Sequence, residues 1–412
     1  MALKLPMPAP MLAIQYLEDS PGLAGLDLSL LVGRIRSAVN CLPISHLLIG
    51  WHLPQPLLEA CRSEAERLGL RFLRWQPLLT TDKGFQTDPS WYVEGLMGGK
   101  VPGYRGLPEF TFFCPNHPSA REAVLSNIQS LARQGIYQGF FLDRVRFPSP
   151  ANNPIQDLAC FCEHCCRKAA EIGLDLPHIR REILDLATTG MGPTSLVRNL
   201  LSKHRNPDGS TLDRALDQFI LFRQACIHDF LNLAIEPLME THLEIGLDCF
   251  SPSLTAMVGQ ELKTLGQQVD WIKLMTYGHT NAPAGLPFEF SGLARFLVHN
   301  TSLNQAQALQ LIMDCTGLSL PGSSQQLERD GLPSPALGRE VRQGVEATPV
   351  PILAGIELVD LPGVTRLDST QIRADLVAIK HSAPAGLAIS WDLLHIPLKR
   401  LSLVNQVYLG NH

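Results

Sequence analysis

Short apolar runs recur along the chain at 11–17, 46–51, 70–76, 139–145, 244–250, 270–276, 350–359 and 386–392. Between most of them stand segments whose apolar residues return every three or four positions, at 26–39, 56–68, 119–134, 211–242, 255–267, 291–297 and 369–382. The first pattern marks buried strands and the second amphipathic helices. Strands alternating with helices make a parallel sheet, and eight such units close into a barrel. An open doubly wound sheet would put a glycine-rich phosphate turn after its first strand, where this chain has Gln15-Tyr16-Leu17-Glu18-Asp19-Ser20-Pro21. The predicted fold is therefore an α/β (β/α)8 TIM barrel, one domain over 1–412. Two connections exceed plain βα loops: 80–118, rich in Gly, Pro and aromatics, and 147–213. They are the expected insertions after strands three and four, and both leave the C-terminal mouth where such barrels place their chemistry. Segments 188–210 and 316–336, rich in Gly, Pro and Ser, read as loops.

Polar residues at the C-terminal ends of barrel strands face the mouth, so candidates can be read off strand by strand. They include Glu18 and Asp19 on strand one, Trp51 and His52 on two, Trp75 on three, and Asp143, Arg144 and Arg146 on four. Asp248 follows on five, Lys273, Tyr277 and His279 on six, Glu357 on seven, and Trp391, Asp392 and His395 on eight. Carboxylates, aromatics and histidines without a Ser or Cys nucleophile motif suit glycosyl transfer, whose oxocarbenium-like state is served by two carboxyl groups. Asp143 is the first candidate, because an acid after Phe140-Phe141-Leu142 is costly unless paired or used. Its structural alternative is an ion pair with Arg144 or Arg146. Glu357 and Asp248 compete to be the second catalytic carboxylate. For substrate binding, Trp51, Tyr277 and Trp391 offer aromatic platforms and His52, His279 and Arg146 offer polar contacts. Asp392 either meets a sugar hydroxyl or caps the next helix.

Cys114, Cys160, Cys162 and Cys165 form a C-x45-C-x-C-x2-C pattern around the strand-four end. Small buried cysteines can simply pack, but three of them within six residues in a polar setting fit zinc ligation. Cys166 and His164 stand in reserve. Four thiolates would fill the coordination shell, which makes the zinc structural and leaves no open position for metal-dependent hydrolysis. The net charge of −5, from 34 basic and 39 acidic residues without a basic run, recruits neither nucleic acid nor an anionic membrane. A neutral carbohydrate is the expected substrate. Prolines at positions 6, 8 and 10 interrupt any signal-like apolar helix, and no later run reaches membrane-span length, so the expected location is cytoplasmic, with reduced thiols. Nothing in the sequence sets an oligomeric state.

Two resemblances sharpen these expectations. Phe113-Cys114-Pro115-Asn116-His117-Pro118-Ser119-Ala120-Arg121, followed by Cys160-Phe161-Cys162-Glu163-His164-Cys165, resembles the strand-four region of the family 42 β-galactosidases. That resemblance implies zinc on Cys114, Cys160, Cys162 and Cys165. Where that family has Asn-Glu as acid/base, this chain has Asp143-Arg144. Leu142-Asp143-Arg144-Val145-Arg146-Phe147-Pro148, with Leu247-Asp248-Cys249-Phe250, Gly259-Gln260 and 269–277, resembles uncharacterised glycosidase-like barrels carrying F-D-Y-I-R-F-P. It implies a catalytic Asp143 and site-lining Arg146, Asp248 and Tyr277. The expected function is glycoside hydrolysis, with Asp143 and Glu357 as the favoured pair. The alternative is a catalytically degenerate barrel that binds carbohydrate or a protein partner.

Overall fold

The computed structural model describes residues 9–17, 27–80, 86–101, 110–201 and 211–411. Its strands are β1 Met11–Tyr16, β2 His46–Ile49, β3 Arg71–Pro77, β4 Gly139–Asp143, β5 Glu244–Phe250, β6 Trp271–Met275, β7 Ile352–Glu357 and β8 Gly386–Ser390. They pair in sequence order, and β8 returns to β1 with Gly386 opposite Met11, closing an all-parallel barrel. The (β/α)8 expectation holds, and each apolar run marks one strand, with β3 running one residue past its run. The runs are continuous rather than alternating because both faces are covered: the outer face packs on the helices, and the inner face fills the barrel.

The inner face positions the chemistry. Ala13, Leu48, Leu73, Phe141, Trp271, Leu353 and Ala388 pack together as an apolar plug, roofed by Trp51 and Trp75. A strand returns to the same face every second residue. Two residues beyond the plug, toward the C-terminal mouth, stand Gln15, Asp143, Lys273 and Ser390. Asp248 takes the matching place on β5, beyond Gly246. Glycine is required there, because a Cβ on Gly246 would meet the Trp271 ring at 2.2 Å. On β7, a Cβ on Gly355 would come within 2.8 Å of the Lys273 side chain. The barrel thus has a dry floor and a polar ceiling, and the ceiling is the candidate site.

The helices differ from expectation mainly in number. Residues 147–201 hold Pro154–Asp157, Glu163–Glu171, Leu176–Ala187 and Gly192–Leu201 ahead of the long helix Thr211–Glu240. Segment 188–210, expected as a loop, therefore contains a helix; 202–210 lies outside the described residues. Segment 316–336 likewise contains Ser324–Asp330 and the start of Ser334–Ala347. The Gly, Pro and Ser that suggested loops are helix punctuation: Gly317 ends one helix at φ 69°, Ser323 caps the next, and Pro335 sits in the first turn of the third. Among the described residues no helix is long and apolar enough to cross a membrane.

Candidate active site

Asp143 ends β4 with its carboxylate held from two sides. Trp75 Nε1 donates to Oδ2 at 3.0 Å, and the Arg144 amide donates to Oδ1. The Arg144 guanidinium stands 3.9 Å away, over the rings of Phe110 and Trp51, and donates to Thr80 Oγ1. Arg144 itself has φ 55°, a left-handed conformation that costs a non-glycine residue about 1 kcal/mol and concentrates at functional sites.

Across the ceiling, Lys273 donates to Asp248 Oδ2 at 3.0 Å, Gln15 Oε1 at 3.1 Å and Tyr277 Oη at 2.6 Å. The Tyr277 hydroxyl donates to Ser390 Oγ, which donates to Gln15 Oε1. Burial works against the Lys273 ammonium, but Asp248 and Tyr277 outweigh it and hold it above its ordinary value. Burial pushes the Tyr277 phenol up to about 12. It also pushes Asp248 up to about 7, against the pull of Lys273 and with the charge of Asp143 adding to the rise. Asp248 Oδ1 has no hydrogen-bond partner among the described residues.

A cavity of about 250 Å³ is lined by Asp143, Asp248, Arg146, Tyr277 and Trp391 together with Phe110 and Pro283. The rings of Tyr277 and Trp391 lie 5.9 Å apart at 56°, forming an aromatic corner. Arg146 is clamped between the rings of Phe112 and Phe250 at 4.6 and 4.3 Å. Trp51 and His52 do not line this cavity. Trp51 packs edge-on against Trp75, behind Arg144, with His52 beside it. Glu18 and Asp19 lie outside the described residues. A cavity of about 1150 Å³ is an open groove outside the barrel between Ser334–Ala347 and Ser369–Lys380, and none of these acids lines it.

Three expected site residues face elsewhere. Glu357 accepts from the His279 amide and lines a small space with Thr276, Ile372 and Asp375, between β7 and the helix Ser369–Lys380. The His279 ring is held by Asp375 Oδ2 at 2.9 Å and the Asp330 carbonyl at 3.1 Å. Asp392 caps the turn Leu393–His395 through the Leu394 amide and contacts the His395 ring, so the capping alternative describes it. Burial pushes the Glu357 carboxyl up to about 7, against the pull of His279. With a folded value above the ordinary 4.5, Glu357 contributes stability that is full below 4.5 and lost as pH rises through about 7. Glu357→Gln should therefore lose less stability than wild type between pH 5 and 8 in urea titrations, while retaining most activity. A slope equal to wild type would contradict this account.

Gln15, Ser390, Phe110 and Pro283 were not anticipated. The signal for Gln15 was present: an amide inside Met11-Leu12-Ala13-Ile14-Gln15-Tyr16 is anomalous in a fully buried strand.

The cysteines converge as the spacing predicted. The sulfurs of Cys114, Cys160, Cys162 and Cys165, all buried, lie within 4.8 Å of one another, and none is in a disulfide. Cys114 Sγ is 3.4 Å from Cys165 Sγ and 3.5 Å from Cys162 Sγ. Tetrahedral ligation at about 2.3 Å implies sulfur separations of about 3.8 Å, so the set can hold a metal ion. Amide donors face the sulfurs: Glu94 N to Cys160, Asn116 N to Cys114 and Asn116 Nδ2 to Cys165, at 3.3–3.4 Å. The reserve ligands are engaged elsewhere, Cys166 with the Phe161 carbonyl and His164 against the His117 ring. Arg223, fully buried on the long helix, is close enough to feel the charge of Cys160 and Cys165. Burial nonetheless pulls it down to about 9. Its guanidinium covers the Phe147 ring at 4.7 Å and donates to the Met257 carbonyl.

No protein-family model matches the chain, and none of the curated proteins matches its sequence. Its fold is similar to that of several solved glycoside hydrolases. The glycoside hydrolase domain of PgaB (BpsB) from Bordetella bronchiseptica aligns with TM-score 0.57 at 14% identity, over 98% of this chain and 100% of that one. The α-L-fucosidase isoenzyme 2 of Paenibacillus thiaminolyticus gives 0.52 at 10% identity, over 97% of this chain and 49% of its own. The β-galactosidase of the psychrophilic Marinomonas ef1 gives 0.50 at 12% identity, over 96% and 59%. The shared feature at these identities is the barrel.

Proposed function

We propose that the protein is a glycoside hydrolase that cleaves a neutral carbohydrate at the barrel mouth, with Asp143 and Asp248 as its carboxyl pair. The observation that carries this reading is that two acids on adjacent strands, Asp143 at the end of β4 and Asp248 within β5, line one cavity. Asp248, pushed up by burial and with Oδ1 unpartnered among the described residues, is assigned as the general acid. Asp143, oriented by Trp75 and the Arg144 amide, serves as nucleophile or base. Tyr277 and Trp391 offer the sugar a ring face, and Arg146 a donor. Glu357, bonded behind β7, is left with a structural role.

Leaving-group dependence tests the assignment. Asp248→Asn should lose about 10²- to 10⁴-fold on glycosides with poor leaving groups, which need protonation, and much less on nitrophenyl glycosides, which do not. Equal losses on both would remove Asp248 from the acid role. The buried Lys273–Asp248 ion pair favours a second reading, in which the mouth binds carbohydrate without cleaving it. On that reading Asp248→Asn weakens binding and there is no turnover to lose.

The same reading makes the ion at the cysteine knot zinc, with a structural role. A zinc tetrathiolate carries a net negative charge, and a buried charge needs a partner; Arg223 is the cation placed to offset it. Because Arg223 also covers Phe147, next in sequence to Arg146, the knot braces the segment that carries the cavity wall.

A further inference from the structure

Arg146 borders two cavities. One is the mouth cavity around Asp143 and Asp248. The other, about 380 Å³, lies on its far side and is bounded by Phe112, Ser149, Asn152, Asp157, Phe250 and Glu289. Phe110, Arg146 and Pro283 line both, so the two compartments share a wall.

The junction has an unmet donor. Arg146 is 4% exposed, its Nη1 donates to the Phe147 carbonyl, and among the described residues its Nε has no hydrogen-bond partner. A buried donor left unpaired is destabilising, and an acceptor oxygen arriving between the compartments would relieve it. The rings clamping the guanidinium prevent it from turning away to find a partner elsewhere. The second compartment joins aromatic walls, Phe112 and Phe250, to carboxyl and amide groups, the mixture that suits a sugar with an apolar face and hydroxyl edges. Its charge is not positive: Arg146 faces Asp157 and Glu289. The Glu289 oxygens are occupied by the Ser149 hydroxyl and the Ala284 amide, whereas Asp157 is pushed up to about 6 by burial. An anionic sugar would meet carboxyl groups there.

Resting on the hydrolase reading above, we propose that the substrate is an oligosaccharide whose chain passes Arg146, with one unit at Asp143 and Asp248 and an adjoining uncharged unit in the compartment of Phe112, Asp157 and Glu289. The Arg146 guanidinium donates to an acceptor oxygen at the junction, and the second compartment selects chain length and excludes uronates.

Calorimetric titration of Asp143→Asn with glucose, galactose and N-acetylglucosamine, their homodisaccharides and digalacturonate tests this. One neutral disaccharide should bind at least about tenfold more tightly than its monosaccharide. Asn152→Trp, which fills the second compartment from its rim, and Asp157→Ala should each erase that gain. Disaccharides binding no tighter than monosaccharides, a gain surviving both substitutions, or digalacturonate binding best would each overturn the proposal. If nitrophenyl glycosides are still cleaved in those cases, the hydrolase reading stands. If no sugar binds and none is cleaved, both readings fall together.

Discussion

Asp143→Asn is expected to reduce glycoside hydrolysis by about a thousandfold or more while leaving the fold intact. Asparagine keeps the shape, and its single oxygen can still receive the Arg144 amide, while its NH2 group faces the Trp75 indole donor and that bond is lost. It lacks the negative oxygen that attacks the anomeric carbon or activates water. Arg144 and Arg146 lose a charge partner, but both remain stacked on aromatic rings, and the thermal midpoint should shift by only a few degrees. Circular dichroism and steady-state rates on the same preparation check both halves. A variant within tenfold of wild type would move Asp143 to a purely structural role.

Cys162→Ser is expected to lose the metal and to lower the thermal midpoint by on the order of 10 °C, because binding energy at a closed thiolate site is folding energy. Cys162 caps the helix Glu163–Glu171, and Cys165 lies in that helix's first turn. With Cys114 and Cys160 also in the set, an ion bound there would tie the β3–β4 connection to the β4–β5 connection. Cys166→Ser, which removes only a bond to the Phe161 carbonyl, should keep both metal and stability. Elemental analysis of wild type purified under reducing conditions should find one zinc per chain. Protein free of zinc, or a Cys162→Ser variant as stable as wild type, would contradict the assignment.

The barrel was legible because its signal is local. A strand buried on both faces reads as an apolar run, and eight runs separated by helical periods leave few alternatives. The polar ceiling was half legible. Asp143, Asp248 and Lys273 could be placed at the mouth because a charged residue inside or ending such a run is conspicuous. Which of Glu357, at the end of β7, and Asp248, within β5, lines the mouth cavity was not legible, because the surroundings of Glu357 come from distant sequence: the His279 amide, 78 residues away, and the space beside Asp375 on a later helix. Asp392 likewise fits a cap and a ligand equally well until the Leu394 amide is located. The second compartment draws Phe112, Asn152, Asp157 and Glu289 from three separate connections, and no periodicity links them. The cysteine knot was legible for the opposite reason, because three of its ligands sit within one turn of chain.

The central claim is that the mouth of this barrel cleaves glycosidic bonds, and proton NMR of the purified protein incubated with a panel of neutral α- and β-linked oligosaccharides tests it most directly. The account predicts new anomeric resonances of released sugars, growing with time in wild type and absent in Asp143→Asn. Line broadening that reports sugar binding, without any new anomeric signal over the whole panel, would contradict it.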